Sequence, residues 1–201
     1  MPRAHTDQER QEIRKRLLTG GRDRFIQVGL QKTTLSDLAA DAGIGKGSFY
    51  QFFASKEELF MAIQEDEETH FKRALVQDLD QAANGREAVV TLLRCVATRL
   101  ERHPFLQALL DPQVLGALTL RISPARLQEH QADDRAFFLD LAGDWKQRGW
   151  LRDHVEPQTV FDVLVAMFGI SVQRGLLGSD VVQRATAELA EAVADRWCSE
   201  R

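Results

Sequence analysis

Lys46, Gly47, Ser48, Tyr50, Gln51 and Lys56 crowd into one short stretch of the chain, and their chemistry suits a polyanion. A lysine brings a compact point charge to a phosphate. A tyrosine packs its ring while its hydroxyl donates. Glycine at position 47 lets a backbone come close, and Gln51 has the paired donor and acceptor that read adenine in a major groove. Thr34, slightly upstream, offers a hydroxyl beside the N–H groups of a helix start. Such a set holds phosphates and reads base edges.

These residues need elements to hold them, and the spacing predicts helices almost throughout. A first helix is expected over residues 8–28, with Ile13, Leu17, Phe25 and Val28 near helical period and Gly29 as its stop. The Gly20-Gly21 pair weakens it by about 1 kcal/mol per glycine, yet small residues there would permit a close helix contact. Thr34 and Asp37 form a capping-box pattern for a second helix carrying Leu38, Ala39 and Ala42, ended by Gly43. A short third helix is expected over 46–52. A fourth starts at Ser55-Lys56-Glu57-Glu58 and turns Leu59, Phe60 and Ile63 inward. Further helices are expected over 85–101, 105–109, 112–120, 124–149, 157–177 and 179–197, with Pro124 and Pro157 at first positions. Residues 35–53 thus have the grammar of a helix-turn-helix. Leu38, Ala42, Ile44, Phe49 and Phe52 or Phe53 would pack the pair, with small Ala39 at the closest approach. The second of the two helices would present its N-terminal residues to a groove.

With Phe25, Gly29, Thr34, Leu38-Ala39, Ala42-Gly43-Ile44, Lys46-Gly47, Phe49-Tyr50, Phe53, Lys56 and Leu59 in this order, residues 25–59 resemble the DNA-binding domain of the TetR family of bacterial regulators. The resemblance implies phosphate contacts from Thr34, Tyr50 and Lys56, and a groove-facing set of Lys46, Gly47, Ser48 and Gln51. Thr33 joins them in the expected DNA-binding set. Phe52 stands where the family often has His or Tyr, so one expected phosphate hydrogen bond is missing. Gly45 stands where it often has Ser, and is still an acceptable cap. The resemblance covers the first quarter to third of the chain. Beyond it, the likeness is only that of a helical segment of suitable length. The expected fold is all-α: a helix-turn-helix DNA-binding domain over 1–55, then a helical ligand-binding and dimerisation domain over 56–201.

Charge agrees with this division. The chain of 201 residues has a net charge of −4, which alone argues against nucleic acid. Residues 1–56, however, hold 10 Lys and Arg against 6 Asp and Glu, while the remainder holds 16 against 24. A basic segment needs only one face toward phosphate. No apolar run is long enough to span a bilayer, and residues 1–16 lack the apolar stretch of a secretory signal, so a cytoplasmic protein is expected. Cys95 and Cys198 are far apart, which argues against a disulfide framework or a zinc site. No Gly-x-Ser-x-Gly, His-Glu-x-x-His or phosphate-binding glycine loop occurs. Neither an enzyme activity, a cofactor, a metal nor a membrane is therefore expected.

The resemblance also assigns the last two long helices to a homodimer interface. The penultimate helix is apolar nearly all round, as suits burial on two sides, and the last carries a narrower stripe. The expected interface set is Val163, Met167, Ile170, Val182, Ala185, Leu189 and Val193. Cys95, Arg99, His103, Phe105, Phe137, Phe138, Trp145 and Phe168 are the candidate lining of an effector pocket, since such sites are apolar with a few placed polar groups. The resulting reading is a repressor that binds a palindromic double-stranded operator as a homodimer and is released by a small-molecule effector. The alternative is a helical ligand-binding or dimerisation protein whose helix-turn-helix no longer meets DNA.

Overall fold

A computed structural model describes residues 6–108 and 111–199. The helices among them are α1 (Asp7–Val28), α2 (Leu35–Asp41), α3 (Lys46–Phe49), α4 (Lys56–Leu79), α5 (Gly85–Arg102), α6 (Pro104–Gln107), α7 (Pro112–Arg121), α8 (Pro124–Gln147), α9 (Pro157–Val172), α10 (Arg174–Leu177) and α11 (Ser179–Trp197). One isolated antiparallel bridge pairs Leu151 with Cys198. No helix among the described residues is long and apolar enough to cross a membrane. Backbone contacts gather the chain into two units, residues up to 69 with 104–123, and residues 70–103 with 124 onward. The boundary expected at 55/56 coincides with the start of α4, whose first half belongs to the first unit.

In the first unit, α1 begins at a capping box that the sequence reading passed over. Thr6 Oγ1 accepts from Glu9 N–H at 3.2 Å, and Thr6 N–H donates to Glu9 Oε2 at 2.8 Å. Two orphan donors of the helix start are satisfied together. Gly21 is buried against α4, where an added Cβ would meet Leu59 at 2.9 Å and Ile63 at 3.1 Å. The glycine costs helix propensity but lets the ends of the Leu59 and Ile63 side chains close on α1; a larger residue would push them aside. Phe25, Phe60 and Phe105 continue this core, with ring centroids 5.3 Å and 4.6 Å apart in turn.

The second unit is built on α5, α8, α9 and α11 around Leu92, Leu93, Trp145, Val160, Met167 and Trp197, all buried. Ala190 and Ala194 are fully buried on α11, and α11 lies along α5. At the rim, Arg86 pairs with Glu191 at 2.7 Å and Asp195 at 2.8 Å, while Arg94 reaches Glu191 at 2.6 Å. Exposed pairs of this kind add little energy and mainly fix register. The end of α11 is tied down by Arg152, whose N–H donates to Trp197 O at 2.7 Å and whose guanidinium donates to Cys198 O at 2.9 Å. A Cβ on Gly85 would lie 2.7 Å from the Trp150 carbonyl, so only glycine fits there.

Two expected helices end early. The third stops at Phe49, and Gln51 and Phe52 turn back with tighter hydrogen bonds to Ser48 O and Phe49 O. The helix expected over 157–177 breaks at Gln173 into α9 and the short α10, because Gln173 leaves helical geometry at φ −80°, ψ 10°.

Candidate nucleic-acid interface

The turn between α2 and α3 is set by Gly43, at φ 70°, a conformation side chains rarely adopt. Ile44 N–H closes it by donating to Ala39 O at 2.9 Å. Phe49, fully buried, anchors α3 from beneath, and its ring meets Phe53 at 6.1 Å. The opposite side of α3 is left to solvent. Lys46, Gly47, Tyr50 and Gln51 are exposed and Ser48 is half-buried. Tyr50 packs its ring edge-on against Phe49 at 6.1 Å while 54% of the residue stays accessible. These five expected residues therefore share one surface, with charge, hydroxyls and an amide available to a ligand.

The other three are already engaged within the protein. Thr33 is buried, and its hydroxyl donates to Gly29 O at 2.7 Å. Thr34 caps α2: its Oγ1 accepts from Asp37 N–H at 3.2 Å and donates to Asp37 Oδ2 at 2.6 Å, and its own N–H donates to that oxygen at 3.2 Å. These bonds hold the Asp37 carboxyl below its ordinary range. Lys56 donates to three backbone carbonyls, Leu30 O at 2.7 Å, Thr33 O at 2.9 Å and Gln31 O at 3.1 Å. All three protons of its ammonium have acceptors. Lys56 ties the start of α4 to the link between α1 and α2, a role that spacing alone does not disclose.

Further arginines of α1 lie around this element. Arg24 forms a two-pronged pair with Asp41, one contact at 2.8 Å, which holds the Asp41 carboxyl low. Arg22 pairs with Glu67. Arg10 lies over the Phe52 ring at 5.4 Å and Arg14 over Phe53 at 4.8 Å. Arg10 and Arg14 are one helical turn apart, which the sequence shows, but their aromatic partners come from a distant segment.

The residues expected around an effector are dispersed. Phe105 is fully buried in the first unit, against Phe60. Trp145 is core of the second unit. Phe137 and Phe138 are half-buried at its edge, ring to ring at 5.0 Å, with Lys72 Nζ over Phe137 at 5.2 Å. Cys95, His103 and Phe168 are half-buried, and the Arg99 side chain lies outside the described residues. On the helices expected to dimerise, Met167 and Val182 face their own unit's interior, whereas Val163, Ile170, Ala185 and Val193 are half-buried. Leu189 is exposed, and so are Val165 and Val181, which the sequence reading did not select.

Comparison with known proteins fits this geometry. Residues 17–63 match the family described as bacterial regulatory proteins, tetR family. The chain is 26% identical over 171 residues to the transcriptional repressor BepR of Brucella suis, covering 82% of this chain and 80% of that one. It is 36% identical over 66 residues to the transcriptional regulator TtgR of Pseudomonas putida, covering 32% of this chain and 31% of that protein. A TetR-family regulator from Pectobacterium atrosepticum shares the fold, with a TM-score of 0.71 at 21% identity over 95% of this chain and 94% of that one. With a tetR match lying over the helix-turn-helix and repressors among the proteins it resembles, residues 17–63 carry a helix-turn-helix of the tetR kind, and the chain is similar to TetR-family DNA-binding transcriptional regulators.

Proposed function

We propose that the protein is a cytoplasmic repressor that binds a palindromic operator as a homodimer and leaves it when a small molecule binds the second unit. The observation that carries the DNA half is the exposure of Lys46, Gly47, Tyr50 and Gln51, with half-buried Ser48 among them, at a firmly anchored α3. Lys46 and the Tyr50 hydroxyl address phosphates and Gln51 addresses a base edge. Lys56, Thr33 and Thr34 contribute by holding the α1–α2 link and α2 in shape.

The dimer half rests on exposed apolar residues of α9, α10 and α11. Val165, Val181 and Leu189 are 52%, 46% and 42% exposed, and Leu176 on α10 is 82% exposed. Exposed apolar side chains at several positions suit a partner surface, and a second copy with two-fold symmetry would present two α3 helices to two half-sites. Half-buried Cys95, His103, Phe137, Phe138 and Phe168 are the retained candidates for the effector site. An effector acts only through its differential affinity for the DNA-competent state, with couplings of about 1–3 kcal/mol typical.

Selection of duplexes from a random library by the purified chain tests this reading. An enriched inverted repeat is expected. No enrichment at low salt refutes it and leaves the alternative of a helical ligand-binding or dimerisation protein. Compounds that raise the melting temperature are then tested for their effect on operator affinity. If every one leaves it unchanged, the sensor half is wrong.

A further inference from the structure

We infer that Arg10 of α1 is a phosphate contact of the DNA interface, held in place by the uncharged ring of Phe52. This rests on the DNA-binding reading above. Four arginines on α1 have visible anchors, and they divide by what anchors them. Arg22 and Arg24 are held by carboxylates, Glu67 and Asp41, which neutralise them where they stand. Arg10 and Arg14 lie over Phe52 and Phe53 at 5.4 Å and 4.8 Å. An aromatic face orients a guanidinium without cancelling its charge. Arg10 is fixed at a second point, since its Nη2 donates to Gln51 O at 3.4 Å. That carbonyl belongs to the residue proposed to read a base.

A guanidinium has five N–H donors in a planar fork suited to phosphate oxygens. One donor on Gln51 O and one face on the ring leave donors and full charge for DNA. Phe52 has no polar atom and cannot itself bond a phosphate, so its ring serves as the platform. Arg10 is exposed, as is Gln51 beside it. Among acidic neighbours on α1, Glu9 is occupied by the Thr6 N–H.

The test is binding of the full chain to a labelled random-sequence duplex of ~30 base pairs, followed by anisotropy across a salt series, because phosphate contacts set the salt slope irrespective of sequence. Arg10→Ala should weaken binding and reduce the slope of log K against log salt by about 0.9 per bound subunit, the value of one phosphate each. Arg10→Gln, which retains helix propensity, should do the same with an unchanged circular dichroism spectrum. Phe52→Leu should give most of that loss alone and no further loss in the Arg10→Ala background. A wild-type slope in Arg10→Ala or Arg10→Gln overturns the inference and leaves the DNA-binding reading standing. A normal slope in Phe52→Leu overturns the platform role. Failure of the wild-type chain to bind any duplex at low salt overturns the DNA reading itself, and this inference with it.

Discussion

The surface around α3 and the interior of the second unit use the same residue types to opposite ends. Around α3, Phe49 is sunk into the core so that Lys46, Tyr50 and Gln51 can stand in solvent at fixed places. In the second unit, Trp145 and Trp197 are themselves the core, and beside a charged rim some apolar residues remain outside: Val165, Val181 and Leu189. One region spends its aromatics on presenting polar groups to solvent, where DNA is proposed to bind. The other spends them on filling space, and leaves several apolar side chains exposed on α9 and α11. Stability and binding should therefore separate cleanly between the two when residues are changed.

The largest effect should come from the second unit. Trp145→Ala removes a fully packed indole, and such truncations cost about 3–5 kcal/mol. Thermal melting should fall sharply, while the salt slope of whatever DNA binding survives stays as in the wild type. A changed slope would mean that the two regions are not separable in this way.

Leu189→Glu and Met167→Glu sharpen the division within the second unit. The first places a charge on an exposed position and should separate the dimer while leaving a folded monomer, read by sedimentation. The second buries a charge without a partner and should cost several kcal/mol, about what unfolds a marginal domain. If Leu189→Glu remains dimeric at micromolar concentration, the partner surface lies elsewhere.

Lys56→Met comes next, and it tests whether a basic residue beside the interface serves DNA or the fold. Its ammonium donates to three carbonyls. Losing hydrogen bonds to a charged group costs about 1.5–3 kcal/mol, so the melting temperature should drop with the salt slope unchanged. A stable variant with a slope reduced by about 0.9 per bound subunit would instead make Lys56 a phosphate contact.

That residue also shows what a sequence discloses. The helix-turn-helix was legible because its constraints are local: Thr34 and Asp37 are three residues apart, and Gly43 sits where a left-handed turn is needed. The side of α3 that faces outward follows from which of its neighbours are apolar. Lys56, Arg10 and Arg14 were not legible, because their partners lie 23 to 41 residues away for the hydrogen bonds of Lys56 and Arg10, or on a distant ring for Arg14. Helical period is less informative on α9 and α11. Met167 and Val182 belong to apolar stripes, but a helix apolar nearly all round gives no sign of which stripe its own unit takes. Phe105 was grouped with the pocket by residue type, and only tertiary packing puts it against Phe60.

The smallest effect concerns pH. Asp37 is held low first by its hydrogen bond from the Thr34 hydroxyl, and Asp41 first by its hydrogen bond from Arg24. A carboxylate with a depressed folded-state pKa stabilises the fold above its unfolded value, 3.8 here, and loses that contribution as pH falls through the folded value. Both side chains are solvated, so the loss below about pH 4 should be slight. Asp37→Asn should flatten the acid limb of melting temperature against pH by slightly lowering the neutral plateau, since the carboxylate's contribution is then absent at every pH. An acid limb identical to the wild type would remove Asp37 from the account.

The central claim is that the α3 surface reads DNA sequence, and the ratio of affinities for the selected duplex and a scrambled one measures it directly. In the wild type the ratio should be large, about 10³ or more. Tyr50→Phe should weaken both duplexes alike and preserve the ratio, whereas Gln51→Ala should lower it, a base contact being worth about 1–3 kcal/mol. A wild-type ratio near one, or a Gln51→Ala variant that keeps the full ratio and the same preferred sequence, would contradict the assignment of α3 as the reading element.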